Sequence, residues 1–160
     1  MKRVFFSFFI CINFTAISFA QDNVAMHTIS ENIWEQDFLK AEKLTKSSDK
    51  PMLIYFTGSD WCGPCKMLVA DIFETDKFKE GYKDEFIFYE ADFPRNLDLV
   101  SVTQRKDNNK LKQKYGVKSY PTIVIVNSKG KEIGRKKSYS LMRDPSYHYS
   151  FFDEMLKKYR

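Results

Sequence analysis

An apolar run at residues 52–57 is followed, after a short loop, by two cysteines, Cys62 and Cys65, and this order restricts the fold of the chain most strongly. Six consecutive residues of this kind, bounded by turn residues, are typical of a strand buried on both faces, as in a parallel sheet. The apolar residues after the cysteines recur at helical spacing: Met67, Leu68, Ile72 and Phe73. The chain is therefore predicted to pass from a buried strand through a tight loop into a helix, which indicates an α/β domain.

Apolar patterns elsewhere predict the remaining elements. A first helix is expected to begin after Ser30 as its N-cap. Its core-facing residues, at helical spacing, are Trp34, Phe38, Ala41 and Leu44. The other elements are expected at 86–91 (strand), 109–115 (helix, stopped by Gly116), 121–126 and 131–137 (strands joined by a hairpin turn at 127–130) and 146–159 (helix). Alternating strands and helices imply parallel pairing and the hairpin adds an antiparallel edge, so we expect a mixed central sheet flanked by helices.

The first twenty residues differ from the rest of the chain. Lys2 and Arg3 precede an almost wholly apolar run at 4–19, and Ser18-Phe19-Ala20 supplies small residues at the two positions that a signal peptidase inspects. This layout is typical of a secretory signal peptide. An uncleaved membrane anchor is the alternative, but the run is slightly shorter than the roughly 20 residues that span a bilayer. The predicted organisation is a signal peptide at 1–20, a flexible lead-in segment at 21–30 and one domain at 31–160, in an exported protein that is periplasmic or secreted and free of the membrane after cleavage.

The number of cysteines and the net charge exclude several classes of protein. Cleavage after residue 20 removes Cys11 and leaves two cysteines, both in one Cys-x-x-Cys. A protein held together by structural disulfides would have more cysteines, spread further apart, so this pair is expected to be reactive. The formal charge falls from +5 to +3 when Lys2 and Arg3 leave, and the basic residues are spread along the chain. Because a nucleic-acid surface needs a concentrated basic face, we expect no nucleic-acid partner.

The position of the cysteines at the start of a helix predicts their chemistry. Unpaired backbone N–H groups favour negative charge there, and such a setting lowers the pKa of a thiol from ~8.5 into the ~3.5–7.5 range. Cys62 is therefore expected to attack a substrate disulfide as a thiolate. Cys65, one turn on and more buried, is expected to resolve the mixed disulfide. Pro64 suits the first helical turn, where a missing N–H costs least, and Gly63 leaves room for a substrate chain.

Two motifs carry a resemblance to a known family. Trp61-Cys62-Gly63-Pro64-Cys65-Lys66 matches the active-site motif of thioredoxins residue for residue, and Val117-Lys118-Ser119-Tyr120-Pro121-Thr122 resembles the segment that holds their cis proline. On these motifs the stretch 31–159 is identified as a member of the thioredoxin superfamily. The stretch from Lys50-Pro51 through Asp60-Trp61-Cys62 is especially similar to envelope members, such as the C-terminal domain of the membrane thiol–disulfide interchange protein.

The resemblance implies a three-layer thioredoxin-like fold and a protein thiol–disulfide oxidoreductase. Its redox group would be the Cys62–Cys65 disulfide itself, with no other cofactor and no metal. A cis Pro121 would face the cysteines, and the backbone of Tyr120 would pair with an extended substrate segment. The implied site residues are Cys62 and Cys65 as catalytic, Trp61, Gly63, Pro64, Tyr120 and Pro121 as substrate-binding, and Lys66 as supporting.

Partners and the direction of electron flow follow from the same resemblance. The expected substrates are exported proteins with disulfides or thiols, and a reducing or oxidising partner of unknown identity would recharge the pair. The Gly63-Pro64 pair is found in reducing thioredoxins, whose potential is ~−270 mV, so we expect a reductase or interchange protein rather than a dedicated oxidase. We expect the protein to be a monomer.

The chain departs from the family pattern at two places. Thioredoxins have a buried Asp that assists proton transfer to the resolving cysteine, and the matching residue here is Tyr55, a poor base near neutral pH. The residues that remain open as substitutes, besides water, are Asp60, Glu90 and Asp92. In addition, 92–108 is longer than a minimal thioredoxin needs. Its polar residues form either a partner surface or a plain surface insertion: Arg95, Gln104, Arg105 and Lys106.

Three other interpretations of the cysteine pair are weaker. A structural zinc site needs four ligands, and only His27 and His148, the latter expected on a helix surface, remain to complete it. Haem attachment requires a histidine where Lys66 stands. The third alternative is a thioredoxin-fold binding or chaperone module without redox turnover, which the closely spaced aromatic residues invite. At strand and helix spacing these residues are predicted to be core instead: Phe73, Phe78, Phe86, Phe88 and Tyr89.

Overall fold

Twelve secondary-structure segments make up residues 33–160, the part of the chain that the computed structural model describes. The strands are β1 (Trp34–Glu35), β2 (Met52–Thr57), β3 (Ile87–Asp92), β4 (Thr122–Val126) and β5 (Glu132–Lys137). The helices are α1 (Phe38–Ser48), α2 (Gly63–Leu68), α3 (Asp76–Tyr82), α4 (Val102–Lys114) and α5 (Ser146–Tyr159), with a π-helical segment, Val69–Phe73, continuing α2 and a 3₁₀ turn, Leu97–Leu99, preceding α4. The predicted signal peptide, the lead-in segment 21–30 and the predicted cap Ser30 lie outside the described residues. Within residues 33–160, every helix falls short of the length and apolarity that a bilayer crossing requires.

The five strands form one mixed sheet in the order β1-β3-β2-β4-β5. Strands β1, β3 and β2 are parallel, β4 is antiparallel to β2, and β5 is antiparallel to β4. Every residue of the central strand β2 is buried. Its alternate residues face two separate cores, because Leu53 and Tyr55 pack with residues of α2 and α5 while Ile54 and Phe56 pack with residues of α1 and α4. The predicted three-layer α/β fold with an antiparallel edge is thus confirmed.

The prediction that Trp34 belongs to the first helix is wrong. Trp34 lies in β1 and pairs with Phe88 of β3, and the helix begins only at Phe38, after Asp37 as its N-cap. The Asp37 carboxylate accepts hydrogen bonds from the backbone N–H groups of the first turn. In its extended conformation, Trp34 makes edge contacts with the rings of Phe73 and Phe88 at 5.0 and 5.4 Å between centroids. The wide spacing of apolar residues fits either element, and packing in the core selects the strand.

The segment between β3 and β4 is also more helical than predicted. Helix α4 begins at Val102, seven residues before the predicted start, because Ser101 and Gln104 form a capping box. Only the part up to Ser101 is therefore an extended insertion. As predicted, the helix stops at Gly116, which has a φ of +58°.

Two further features were missed or misassigned. Helix α3, capped by Thr75, was not predicted, although Phe78 and Tyr82 are spaced for one buried face. His148 was expected on the surface of α5, but it is buried and packs edge-on against Tyr139. The five aromatic residues predicted as core are indeed buried: Phe73, Phe78, Phe86, Phe88 and Tyr89.

Candidate active site

The loop between β2 and α2 is folded so that Cys62 caps the helix. The backbone N–H groups of Trp61 and Cys62 both donate to the carbonyl oxygen of Gly58, at 3.2 and 2.8 Å. Gly58 is required because the indole of Trp61 occupies the space where a side chain would begin. A Cβ at Gly58 would lie 2.4 Å from Cε2 of Trp61. The tight loop thus joins the central strand β2 to the cysteines.

Cys62 and Cys65 form a disulfide in the first turn of α2, with their Cα atoms 5.2 Å apart. Cys62 is the N-cap, and its Sγ accepts a hydrogen bond from the backbone N–H of Cys65 at 3.3 Å. Pro64 occupies the first turn, as predicted for a residue without an N–H. Gly63 is exposed, and a Cβ there would meet no atom within 4 Å. Both cysteines are buried, Cys62 at 4% and Cys65 at 1% exposure.

The Tyr120–Pro121 peptide is cis, as predicted. The ring of Tyr120 lies 5.9 Å from that of Trp61, edge to face, and stacks on Phe93 at 5.3 Å. The indole Nε1–H of Trp61 donates to the carbonyl oxygen of Phe93 at 2.9 Å. Three chain segments therefore meet at these rings: the loop before Cys62, the end of β3 and the cis turn. Sequence reasoning did not assign Phe93 to the site, because its role depends on this contact between distant segments.

Pro121 and Tyr120 differ in how their backbone groups are used. The carbonyl oxygen of Pro121 accepts from the N–H of Ser138 at 2.9 Å, which ties the cis turn to the end of β5. Within residues 33–160, no hydrogen bond engages the backbone N–H or C=O of Tyr120. The backbone of Tyr120 is thus available for an external strand.

Two of the three acidic residues proposed from the sequence as proton acceptors, Asp60 and Asp92, accept hydrogen bonds that involve the loop before Cys62. Asp60 accepts from the backbone N–H groups of Arg95 and Asn96, at 3.0 and 2.8 Å. These hydrogen bonds, the one from Asn96 foremost, lower the pKa of the Asp60 carboxyl. Asp92 accepts from the backbone N–H and the hydroxyl of Ser59 at 2.8 and 2.5 Å. Both carboxylates are engaged in positioning the loop before Cys62.

Glu90, the third candidate, lines a cavity of about 330 Å³ that Cys65 also lines. The other lining residues are Thr57, Ser59, Lys66, Val69 and Glu74. Burial raises the pKa of Glu90 to about 7, and repulsion from Asp92 acts in the same direction. A carboxyl group with this pKa changes its protonation state near neutral pH, in the cavity that Cys65 also lines.

Tyr55 stands directly opposite Glu90 in the register of β2 and β3. It is fully buried, and its hydroxyl donates to the carbonyl oxygen of Cys65 at 3.1 Å. Burial raises the pKa of this phenol well above its ordinary value, so it stays protonated. Tyr55 therefore supports the first turn of α2 and does not serve as a base.

Lys66, the last residue of the motif, reaches back to the loop. Its Nζ donates to the carbonyl oxygen of Asp60 at 2.9 Å. The lysine thus connects α2 to the loop that contains Asp60. In the part of the chain from Ile33 onward, no three His, Cys, Asp or Glu side chains are grouped to hold a metal ion.

Residues 38–143 match the model of the thioredoxin-like domain family. The chain belongs to this family. This thioredoxin-like chain is 31% identical over 104 residues to a disulfide bond reductase, DsbH, of Chlamydia pneumoniae, a match that covers 65% of the chain and 62% of that protein. It is 26% identical over 131 residues to a thioredoxin-related protein, DsbJ, of the same organism, covering 79% of the chain and 37% of that protein.

A solved structure of a DsbH oxidoreductase is similar in fold to the thioredoxin-like chain. The TM-score is 0.68 at 29% sequence identity, and the match covers 78% of this chain and 83% of that one. The chain nevertheless spans less than two thirds of the length of the two curated relatives, at 62% and 37%.

Proposed function

We propose that this chain is a thiol–disulfide oxidoreductase that reduces or exchanges protein disulfides through Cys62, with Cys65 as the resolving cysteine. The observation that carries the proposal is the Cys62–Cys65 disulfide in the first turn of α2, together with a cis Tyr120–Pro121 peptide whose Tyr120 ring contacts the ring of Trp61, the residue before Cys62. Membership of the thioredoxin-like family supports the same activity, as does similarity to a protein named disulfide bond reductase.

The reaction starts with both cysteines reduced. The Cys62 thiolate attacks one sulfur of the substrate disulfide, and a new S–S bond joins Cys62 to the substrate while the other substrate sulfur leaves as a thiolate. The Cys65 thiol then loses its proton and attacks Sγ of Cys62. This forms the Cys62–Cys65 disulfide and releases the second substrate sulfur. The substrate disulfide gains two electrons, and its two thiolates take up protons to become thiols. The cysteine pair loses two electrons and is oxidised to a disulfide.

The backbone around Cys62 suits the thiolate that begins this cycle. The N–H of Cys65 already points at Sγ of Cys62 at 3.3 Å. A hydrogen bond to an ionised acceptor is stronger than one to a neutral acceptor, and the start of a helix adds a favourable dipole. The same N–H stabilises the Cys62 sulfur when it leaves the mixed disulfide in the reverse reaction.

The proton of Cys65 is assigned to Glu90. Both residues line the same cavity, and Glu90 has a pKa of about 7, close to the value that favours general base catalysis at neutral pH. Asp60 and Asp92 are engaged in hydrogen bonds to the loop, which favours Glu90 among the three acidic candidates. Glu90 lies on β3, whereas Tyr55, which occupies the position of the thioredoxin Asp, lies on the neighbouring strand β2. In this arrangement the proton-transfer role passes to a residue of β3.

Substrate binding is assigned to the surface around Trp61, Gly63, Pro64 and the cis turn. The free backbone groups of Tyr120 would pair with an extended substrate segment, which adds a short strand beside Cys62. The exposed Gly63 leaves this path open. Backbone pairing of this kind does not depend on the side chains of the segment that pairs with Tyr120.

The setting of the reaction rests on the sequence of residues 1–20. The basic start, apolar run and small residues before position 21 favour export to the periplasm or outside the cell. The substrates are then exported proteins with disulfides, and a separate reducing partner returns the Cys62–Cys65 pair to its dithiol form. Gly63-Pro64 favours the reducing direction, with a potential near ~−270 mV rather than ~−120 mV.

Reduction of insulin disulfides by the single cysteine variants tests the proposal. Cys62→Ser is expected to abolish reduction, since the attacking sulfur is lost. Cys65→Ser is expected to accumulate a mixed disulfide with insulin, visible by mass spectrometry and released by dithiothreitol. If Cys62→Ser still reduced insulin at the wild-type rate, the mechanism would be wrong. A wild-type protein that bound insulin but never reduced it would instead favour a binding module.

A further inference from the structure

The segment between β3 and α4 exposes several aliphatic side chains close to the cysteines. Leu97 and Leu99 in the 3₁₀ turn are 52% and 55% exposed, and Val102 at the start of α4 is 75% exposed. Single exposed apolar residues are common, but a group of them beside a reactive site indicates a binding surface. We call Leu97, Leu99 and Val102, together with Trp61, the apolar ledge.

The ledge is attached directly to the loop that carries the cysteines. The carboxylate of Asp60, two residues before Cys62, accepts from the N–H groups of Arg95 and Asn96. The guanidinium of Arg95 also lies over the Trp61 ring, 5.4 Å from its centroid. Leu97 follows Asn96 immediately in the chain, so the ledge begins next to the residues that contact the loop before Cys62.

The ledge is also held in one conformation. The side chain of Asn96 accepts from the N–H of Asp98 at 3.1 Å, which fixes the 3₁₀ turn. At the other end, Ser101 and Gln104 form the capping box of α4, and Gln104 donates to Gln36 at 2.9 Å. A surface ordered before binding loses little conformational freedom when a partner docks.

We infer that the apolar ledge binds the apolar side chains next to the cysteine of an unfolded polypeptide while that cysteine is joined to Cys62. This inference rests on the proposed function and names its substrate class: disulfides in non-native polypeptides with apolar flanks. Asp60 and Trp61, which contact Arg95 and Asn96 just before the ledge, lie within two residues of Cys62 in the chain. An extended chain advances roughly 3.3–3.6 Å per residue, so the residues next to the attacked cysteine extend along this surface. A second copy of the chain is a poorer occupant, because it would cover Trp61 and obstruct the approach to Cys62.

Two disulfide-linked peptide dimers that differ only in the residues flanking the cysteine test the inference. One dimer carries Leu and Phe on both sides of the cysteine, and the other carries Ser at the same positions. For the wild-type protein we expect kcat/KM to be about tenfold higher for the apolar dimer. For Leu97→Ser/Leu99→Ser we expect the ratio to fall close to 1, whereas Leu97→Met/Leu99→Met, which keeps the apolar surface, should retain it.

Leu39→Ser is the matched control, because Leu39 is 67% exposed and lies on α1 beside α4 rather than on the ledge. Its peptide ratio should equal that of the wild type. Equal rates for the two dimers with the wild-type protein would overturn the inference while leaving the proposed function intact. If the folded wild type reduced neither dimer nor cystine, the proposed function itself would fail. If the wild-type protein were itself dimeric in solution and Leu97→Ser/Leu99→Ser converted it to a monomer, the ledge would be a self-association surface. That result would also overturn the inference.

Discussion

Replacement of Glu90 by Gln is expected to stabilise the protein above neutral pH and to slow its chemistry. Burial raises the pKa of Glu90 from its ordinary value of 4.5 to about 7 in the folded protein. In the unfolded chain the Glu90 carboxyl ionises near pH 4.5. The folded state therefore loses stability as the pH rises from 4.5 to about 7, and it loses no more above pH 7. A difference of about 2.5 pKa units corresponds to ~3 kcal/mol. Because Glu90 lines a cavity that water can enter, this value is an upper limit, and we expect Glu90→Gln to gain about 1–3 kcal/mol at pH 8.

Urea denaturation of the oxidised protein at pH 5 and pH 8 measures this gain. At pH 5 most Glu90 side chains are protonated in the folded state, so the variant and the wild type should differ by less than about 1 kcal/mol. Glu74→Gln is a matched control, since Glu74 lines the same cavity but is exposed. It should leave the pH dependence unchanged.

The kinetic part of the same prediction concerns the resolving step. Stopped-flow measurement of the decay of the mixed disulfide should show a slower attack by Cys65 in Glu90→Gln, by up to about 10²-fold, the lower range for a general base. The wild-type rate should rise with pH around 7, and the variant should lack this rise. If Glu90→Gln were no more stable than the wild type at pH 8, the inferred burial of charge would be wrong. A gain in stability with an unchanged pH–rate profile would refute the proton-transfer role alone.

Two further substitutions test contacts within the fold. Gly58→Ala places a Cβ 2.4 Å from the Trp61 ring, so we expect the indole to move away from the Phe93 carbonyl oxygen. The free energy of unfolding should fall by about 1–3 kcal/mol and the tryptophan emission should change. Unchanged emission and stability would contradict the close approach of Gly58 and Trp61. His148→Phe removes a buried imidazole whose pKa is lowered, chiefly by burial, from 6.5 to about 4, so that the wild type loses stability as the pH falls from 6.5 towards 4. Denaturation at pH 8 and pH 4 should show a drop about 3 kcal/mol smaller in the variant than in the wild type, and equal drops would mean that His148 is not buried in neutral form.

The predictions that held depend on local patterns. The buried strand β2, the hairpin between β4 and β5, the helix α5 and the stop at Gly116 each follow from apolar spacing or turn residues within a few positions of one another. The early start of α4 and the missed helix α3 have local signals in the Ser101–Gln104 capping box and the Thr75 cap, whereas two other failures depend on contacts between elements. Trp34 was assigned to a helix because its spacing to Phe38 fits 3.6 residues per turn, whereas contacts with Phe73 and Phe88, far along the chain, hold it in a strand. His148 was expected on the surface of the last helix, whereas it is buried and packs against Tyr139.

By itself, the sequence predicted the family, the Cys62–Cys65 pair as the redox site and the cis proline, because these features reside in short motifs that resemble those of a known family. The choice among three acidic residues near the cysteines was left to the tertiary structure. Asp60 accepts hydrogen bonds from backbone N–H groups 35 and 36 residues away, and Asp92 accepts one from Ser59, 33 residues away. Of the three, only Glu90 lines a cavity together with Cys65. Hydrogen bonding and burial set the protonation of a carboxyl group, and both depend on neighbours that the chain brings together only when the sheet forms.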